Sequence, residues 1–143
     1  MHRRVFLRKS CQACLLTAAG IVLPQFAIPA SAKKRKVFRA VCNEQKQVII
    51  PAALFEDSTL QIVSVKDWTY DLAVHSKEDG SFDVFLLKCT HHDNELEITE
   101  DGFLCNRHGS RFDKTGAVTE GPAGKPLEQF PAVRSEDQII ITT

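Results

Sequence analysis

Two short segments of the 143-residue chain pair a thiol with an imidazole, Cys89-Thr90-His91 and Cys105-Asn106-Arg107-His108. Thirteen residues, His92 to Leu104, lie between His91 and Cys105. A binuclear iron–sulfur centre, with two thiolates on one iron and two imidazoles on the other, requires the donors that Cys89, His91, Cys105 and His108 supply. A structural zinc ion is the alternative, because two sulfurs and two nitrogens also complete a tetrahedral shell, although zinc motifs usually pair Cys with Cys. His2 and His75 carry no such reading.

For four donors to act together, the chain between them has to return on itself. Glu95–Thr99 and Phe103–Asn106 read as two strands around a Glu100-Asp101-Gly102 turn, a hairpin whose ends meet. The surrounding sequence has the same character. Val37–Val41, Gln47–Ile50, Leu60–Val65, Phe82–Leu87 and Gln138–Ile141 are short β-branched or aromatic runs. Further turns fall at Glu78-Asp79-Gly80-Ser81 and Asp113-Lys114-Thr115-Gly116, each with a glycine for positive φ. Pro51–Phe55 allows one brief helical turn, and no repeat or sustained helical period is present. The expectation is an all-β sandwich or barrel forming one domain over residues 33–143.

Charge and cysteine usage narrow the partners. Residues 1–32 hold Arg3, Arg4, Arg8 and Lys9 and no acid, which leaves 14 Lys and Arg against 18 Asp and Glu downstream, a balance of −4. That argues against a nucleic-acid partner. Cys11 and Cys14 fall in the first segment, so Cys42, Cys89 and Cys105 remain, which is no disulfide framework. Cys42 has no histidine nearby and reads as a small buried apolar residue.

Residues 1–32 read as an export address. A basic start leads into the uncharged stretch Ser10–Ala32, which closes on the small residues Ala30-Ser31-Ala32. Arg3-Arg4-Val5-Phe6-Leu7 resembles a twin-arginine signal, although His2 stands where Ser or Thr is common. That route carries folded proteins, as a cluster assembled before export requires. The expectation is cleavage after Ala32 and a periplasmic location, or one on the outer face of the cytoplasmic membrane. An uncleaved anchor is the alternative, weakened by Gln12, Pro24, Gln25 and Pro29. Membrane contact then depends on retention of this segment.

Cys-x-His followed by Cys-x-x-His, continuing into Gly109-Ser110-Arg111-Phe112-Asp113, Gly116-Ala117-Val118 and Gly121-Pro122-Ala123-Gly124-Lys125-Pro126-Leu127, resembles the Rieske [2Fe–2S] family over roughly Lys88 to Ala132. The resemblance implies an antiparallel β-sandwich with a small cluster-binding subdomain. It implies that Cys89 and Cys105 bind the inner iron, and His91 and His108 the outer iron that changes oxidation state. Gly109 would permit the turn after His108, and the Ser110 hydroxyl would donate to a cluster sulfur. Gly121 and Pro122 would belong to a third loop that shields the cluster.

Departures from the family pattern are equally specific. Asn94 and Arg107 stand where quinol-oxidising members carry two disulfide-forming cysteines, and Phe112 stands where they tend to carry Tyr. Fewer donors to sulfur leave more charge on the cluster, which implies an intermediate potential, below the top of the roughly −150 to +300 mV Rieske range. His92 and Asp93 replace the residues that face the quinone pocket in those members. The implied function is one-electron transfer with a redox donor and acceptor, either a cytochrome or a larger oxidoreductase subunit. An acidic surface would steer the domain toward a basic partner. The alternatives are an anchored iron–sulfur subunit of a quinol–cytochrome c reductase and a zinc-stabilised interaction module. A cytoplasmic ferredoxin would need no export leader.

Overall fold

The computed structural model describes residues 36–143, so the expected leader, its expected cleavage after Ala32 and the Arg3-Arg4 pair lie outside the described residues. In chain order the strands are β1 (Val37–Ala40), β2 (Gln47–Pro51), β3 (Leu60–Val65), β4 (Leu72–Ser76), β5 (Phe82–Leu86), β6 (Glu97–Ile98), β7 (Gly102–Leu104), β8 (Arg111–Asp113), β9 (Val118–Glu120), β10 (Gln129–Phe130), β11 (Ala132–Ser135) and β12 (Gln138–Thr142). One 3-10 turn, Ala52–Phe55, follows β2 where a brief helical turn was expected.

A five-stranded sheet, in order β1-β3-β4-β5-β10, packs against a three-stranded sheet, β11-β12-β2. Period-2 alternation explains how the second sheet faces the first. Val48 and Ile50 of β2 stand opposite Ile141 and Ile139 of β12, and all four are fully buried. They meet Val63, Val65, Leu72, Val74 and Val84 from the larger sheet in one apolar core. Pairing is antiparallel except between β1 and β3, which run parallel. Their connection passes through β2 in the opposite sheet, which supplies the crossover that a parallel pair needs.

The third sheet, β6-β7-β8-β9, forms a subdomain over a second core. Ala73, Phe85 and Leu87 belong to this core together with Leu96, Phe103, Phe112 and Leu127. Strand β4 therefore serves both cores, with Leu72 and Val74 on one side and Ala73 on the other. Phe85 and Phe103 meet edge to face at 5.6 Å. Gly102 fixes the approach of β7 to β8. It sits at φ +148°, and a Cβ there would lie 2.1 Å from the Phe112 carbonyl oxygen. The expected hairpin is present, but the run at 95–99 is divided. Glu95 bridges to Lys88 and the Leu96 N–H donates to Leu87, so only Glu97–Ile98 pairs with β7.

Candidate metal centre

Both Cys/His segments are loops at the same end of the subdomain, and they close in the same way. In the first, the Cys89 N–H donates to the Asn94 carbonyl at 2.7 Å and the Asp93 N–H to the Cys89 carbonyl at 2.9 Å. In the second, the Cys105 N–H donates to the Ser110 carbonyl at 2.9 Å and the Gly109 N–H to the Cys105 carbonyl at 2.8 Å. The fifth residue of each loop takes positive φ, Asp93 at 51° and Gly109 at 81°. Short antiparallel bridges on either side hold the loops, Lys88 with Glu95 before the first and the β7–β8 ladder around the second.

These closures place the donors. Cys89 and Cys105 are fully buried, and the His91 and His108 rings stand 5.0 Å apart and nearly perpendicular. His91 is half-buried and His108 exposed, so the sulfurs face inward and the imidazoles outward. Burial pushes the Cys105 thiol up, but the backbone N–H groups of His108 and Arg107, with the neighbouring Cys89 thiol, outweigh it and hold the group below its ordinary value. Such donors favour a thiolate, the form that binds metal. Desolvation, then the nearby His92 and His108, hold the His91 imidazole below its usual range. Its Nδ1 is buried without a hydrogen-bond partner. A buried ring nitrogen without a partner, on the loop that also carries the buried Cys89, fits a metal ligand.

A third loop touches both ligand loops. Ser110, fully buried, accepts a hydrogen bond from the Ala123 N–H at 3.0 Å, and Thr90 donates to the Lys125 carbonyl at 2.7 Å. Ala123 is buried in the second core, whereas Gly121 and Pro122 are exposed on the same loop. The contacts through Thr90 and Lys125 carried no signal in the sequence, because one of them uses a backbone carbonyl. Tyr70 and Lys88 also reach the first loop and were equally unmarked. The three cysteines among the described residues are free thiols, so no disulfide joins the ligand loops there. Phe112 is buried in the second core and has no hydroxyl to offer. Cys42 is half-buried, its thiol 3.7 Å from the Thr143 hydroxyl oxygen, so it is less enclosed than an apolar core residue.

His92 lies with its ring 4.1 Å from His91 and 5.4 Å from His108, at the exposed edge of the pair. Among the described residues no three His, Cys, Asp or Glu side chains are gathered as they would be around a single metal ion. A two-iron cluster divides its donors two and two and needs no such trio.

A β-sandwich that carries two Cys/His loops on a small subdomain defines an iron–sulfur domain. The model of the Rieske [2Fe-2S] domain matches residues 45–131, and the chain belongs to that family. The group this family holds is one [2Fe–2S] cluster. The cytochrome b6-f complex iron-sulfur subunit 1 of Nostoc sp. (strain PCC 7120) is 37% identical over 79 residues, which are 54% of this chain and 44% of that protein. The corresponding subunit of Cyanothece sp. (strain PCC 7425) is 44% identical over 45 residues, 32% of this chain and 25% of that protein. The chain thus spans between a quarter and a half of the length of these relatives. Among solved structures, the plasma membrane Rieske protein of Synechocystis PCC 6803 superimposes with a TM-score of 0.55 at 21% identity, covering 65% of this chain and 95% of that one. At that identity the likeness concerns the fold, and it supports the all-β sandwich with its subdomain.

Proposed function

We propose that the protein moves single electrons through one [2Fe–2S] cluster held by Cys89, His91, Cys105 and His108. The observation that carries this reading is the placement of two buried thiols and two outward imidazoles, one of them with an orphaned buried nitrogen, on a matched pair of loops. When bound, the cluster supplies a one-electron couple whose potential depends on charge and on hydrogen bonds to its sulfurs. The chain's own residues do the rest. Buried Cys89 and Cys105 would hold one iron away from water, and His91 and His108 would hold the other near the surface, where a partner can approach. Gly109 shapes the turn after His108, and Ser110, fixed by the Ala123 N–H, has its own proton free to donate. Gly121 and Pro122 form the exposed rim of the third loop.

The partners are a redox protein donor and acceptor. Export by a twin-arginine-type signal, cleavage after Ala32 and a periplasmic site of action complete the reading. It is supported by the basic start, the uncharged run and the Ala30-Ser31-Ala32 ending. Anaerobic reconstitution of the full chain tests the core of the proposal. Iron and labile sulfide in equal amounts, with a reduced-state EPR signal, are expected. Zinc without sulfide, or colour retained when Cys89 and His108 are both replaced, overturns it. Intact mass and cell fractionation test the export reading, and retention of residues 1–32 in the exported protein overturns the cleavage.

The likeness to iron-sulfur subunits of the cytochrome b6-f complex supports a second reading, an iron–sulfur subunit of a membrane oxidoreductase complex such as a quinol–cytochrome c reductase. His92 and Asp93, exposed at the face that would meet a quinone, weigh against it. Co-purification with a membrane cytochrome would decide for the subunit.

A further inference from the structure

We propose that Tyr70 and Lys88 are positioning residues that lock the Cys89–Asn94 loop through Asp93 and thereby hold His91 in place. The inference rests on the ligand reading above. The two ligand loops share one closure but differ at the position where the backbone must take positive φ. Gly109 does this in the second loop, with nothing within 4 Å of where a Cβ would stand. Asp93 does it in the first, at φ 51°. A left-handed conformation brings the Cβ of an L-residue close to its own carbonyl oxygen, so the Asp93 turn costs more than the Gly109 turn, and Asp is among the few side chains that tolerate it. Such strain persists only where the surroundings over-determine it.

The surroundings of Asp93 do so at two of its atoms. Its backbone carbonyl accepts a hydrogen bond from the Tyr70 hydroxyl. Its carboxylate Oδ1 lies 3.1 Å from Lys88 Nζ. Lys88 Nζ in turn lies 5.9 Å from the centre of the Tyr70 ring, which closes a triangle of three side chains. Tyr70, the single tyrosine of the chain, comes from the β3–β4 connection of the large sheet, so the triangle ties the ligand loop to the sandwich below it.

Asp93 is two residues from His91, and its N–H is bonded to the Cys89 carbonyl, so a shift at Asp93 passes to both donors. An ion pair with 33% and 69% exposed side chains contributes little alone. Its value here is geometric, since it holds the side chain of the strained residue while Tyr70 holds its backbone. Asn94 and Arg107 offer no disulfide to do this covalently.

The test uses the full-length protein with its cluster and the variants Tyr70→Phe and Lys88→Met, alone and combined with Asp93→Gly. Hydrogen exchange by mass spectrometry over residues 89–94, cluster bleaching by a chelator, and the g-values of the reduced cluster are measured. Tyr70→Phe is expected to speed exchange of that segment and bleaching about fivefold, the factor set by one net hydrogen bond, Lys88→Met by a smaller factor of about two, as for an exposed ion pair, and both are expected to shift the g-values. Exchange in β2 and β12 should not change. Glycine removes the strain and, with the carboxylate, the partner of Lys88, whereas the backbone carbonyl that Tyr70 binds survives, so in the Asp93→Gly background Tyr70→Phe should matter less than twofold. Unchanged exchange at 89–94 would overturn the proposal. So would acceleration that extends to β2 and β12, exchange that rises without a change in bleaching or g-values, or effects that persist in the glycine background. Failure of the wild-type protein to take up iron and sulfide would defeat the ligand reading instead, while the exchange data still decide whether the loop is clamped.

Discussion

Gly102→Ala should open the ligand-bearing hairpin, and Gly80→Ala should not, although both glycines have positive φ, 148° and 80°. A Cβ at Gly102 would lie 2.1 Å from the Phe112 carbonyl oxygen and 2.7 to 2.8 Å from backbone atoms of Asp113. Those atoms belong to β8, paired with Gly102 through the Gly102–Asp113 register, and they cannot retreat without breaking the ladder. At Gly80 nothing lies within 4 Å of a Cβ, so alanine there meets only the backbone preference.

That preference costs about 1–2 kcal/mol at Gly80. At Gly102 the clash adds about 1–3 kcal/mol to a backbone strain of about 1–3 kcal/mol, for a total of ~2–6 kcal/mol. With a urea dependence of about 2 kcal/mol per molar for a small domain, the unfolding midpoint should fall by roughly 1–3 M for Gly102→Ala and by about 0.5–1 M for Gly80→Ala. Cys105 follows β7 by one residue, so cluster content should fall with the fold in the first variant and hold in the second. The assay is urea unfolding read by Trp68 fluorescence, beside iron and sulfide analysis. Equal midpoints for the two variants, or a full cluster in Gly102→Ala, would refute the argument.

Three more expectations follow from single side chains. Asp113 accepts from the Thr115 hydroxyl at 2.6 Å and from the Thr115 and Ala117 N–H groups at 2.8 and 3.1 Å, and the Thr115 hydroxyl, against slight burial, holds its carboxyl below the usual range. A depressed carboxylate contributes stability that is present above the unfolded pKa of about 4 and lost as pH falls through the folded value. Asp113→Asn should therefore flatten the loss of thermal stability below pH ~4, and an unchanged acid slope would refute this. Ile141→Ala, at a fully buried site opposite Val48, should cost about 2–5 kcal/mol in unfolding experiments while leaving the reduced-state EPR signal of the folded fraction unaltered. A changed signal would mean that the two cores are coupled more tightly than their packing indicates. Phe112→Tyr should raise the midpoint potential by placing a hydroxyl near the ligand sulfurs, and an equal or lower potential in a voltammetric titration would count against that account.

Much of the fold was legible because its signal is local. Leu60–Val65 forms β3 with the bounds read from the sequence, and Ala52–Phe55 makes the brief turn expected after β2. Strand β4 was not visible. Leu72, Ala73 and Val74 are all fully buried, since the strand is covered by a core on each face, so no polar alternation marks it. Strands β8 to β11 were missed for a different reason. They hold two to four residues each, with exposed polar positions, and only their partners make them strands. The hairpin at 95–106 was read as one element, whereas Glu95 and Leu96 pair backward to Lys88 and Leu87.

The sequence by itself determined the donor types, their spacing and the family, because thiols and imidazoles at short intervals are a chemical statement that needs no coordinates. It also determined what is lacking, since Asn94 and Arg107 are not cysteines wherever they lie. Only the tertiary structure decided that Tyr70 and Lys88 grip the first ligand loop, that Ala123 and Lys125 bind the two loops from a third, and that His91 keeps a buried nitrogen without a partner. These contacts join residues 5 to 35 positions apart, or turn on one atom's exposure. Hydrogen bonds across such distances leave no periodicity in a chain, because backbone carbonyls and amides are the same at every position and only folding selects which of them meet.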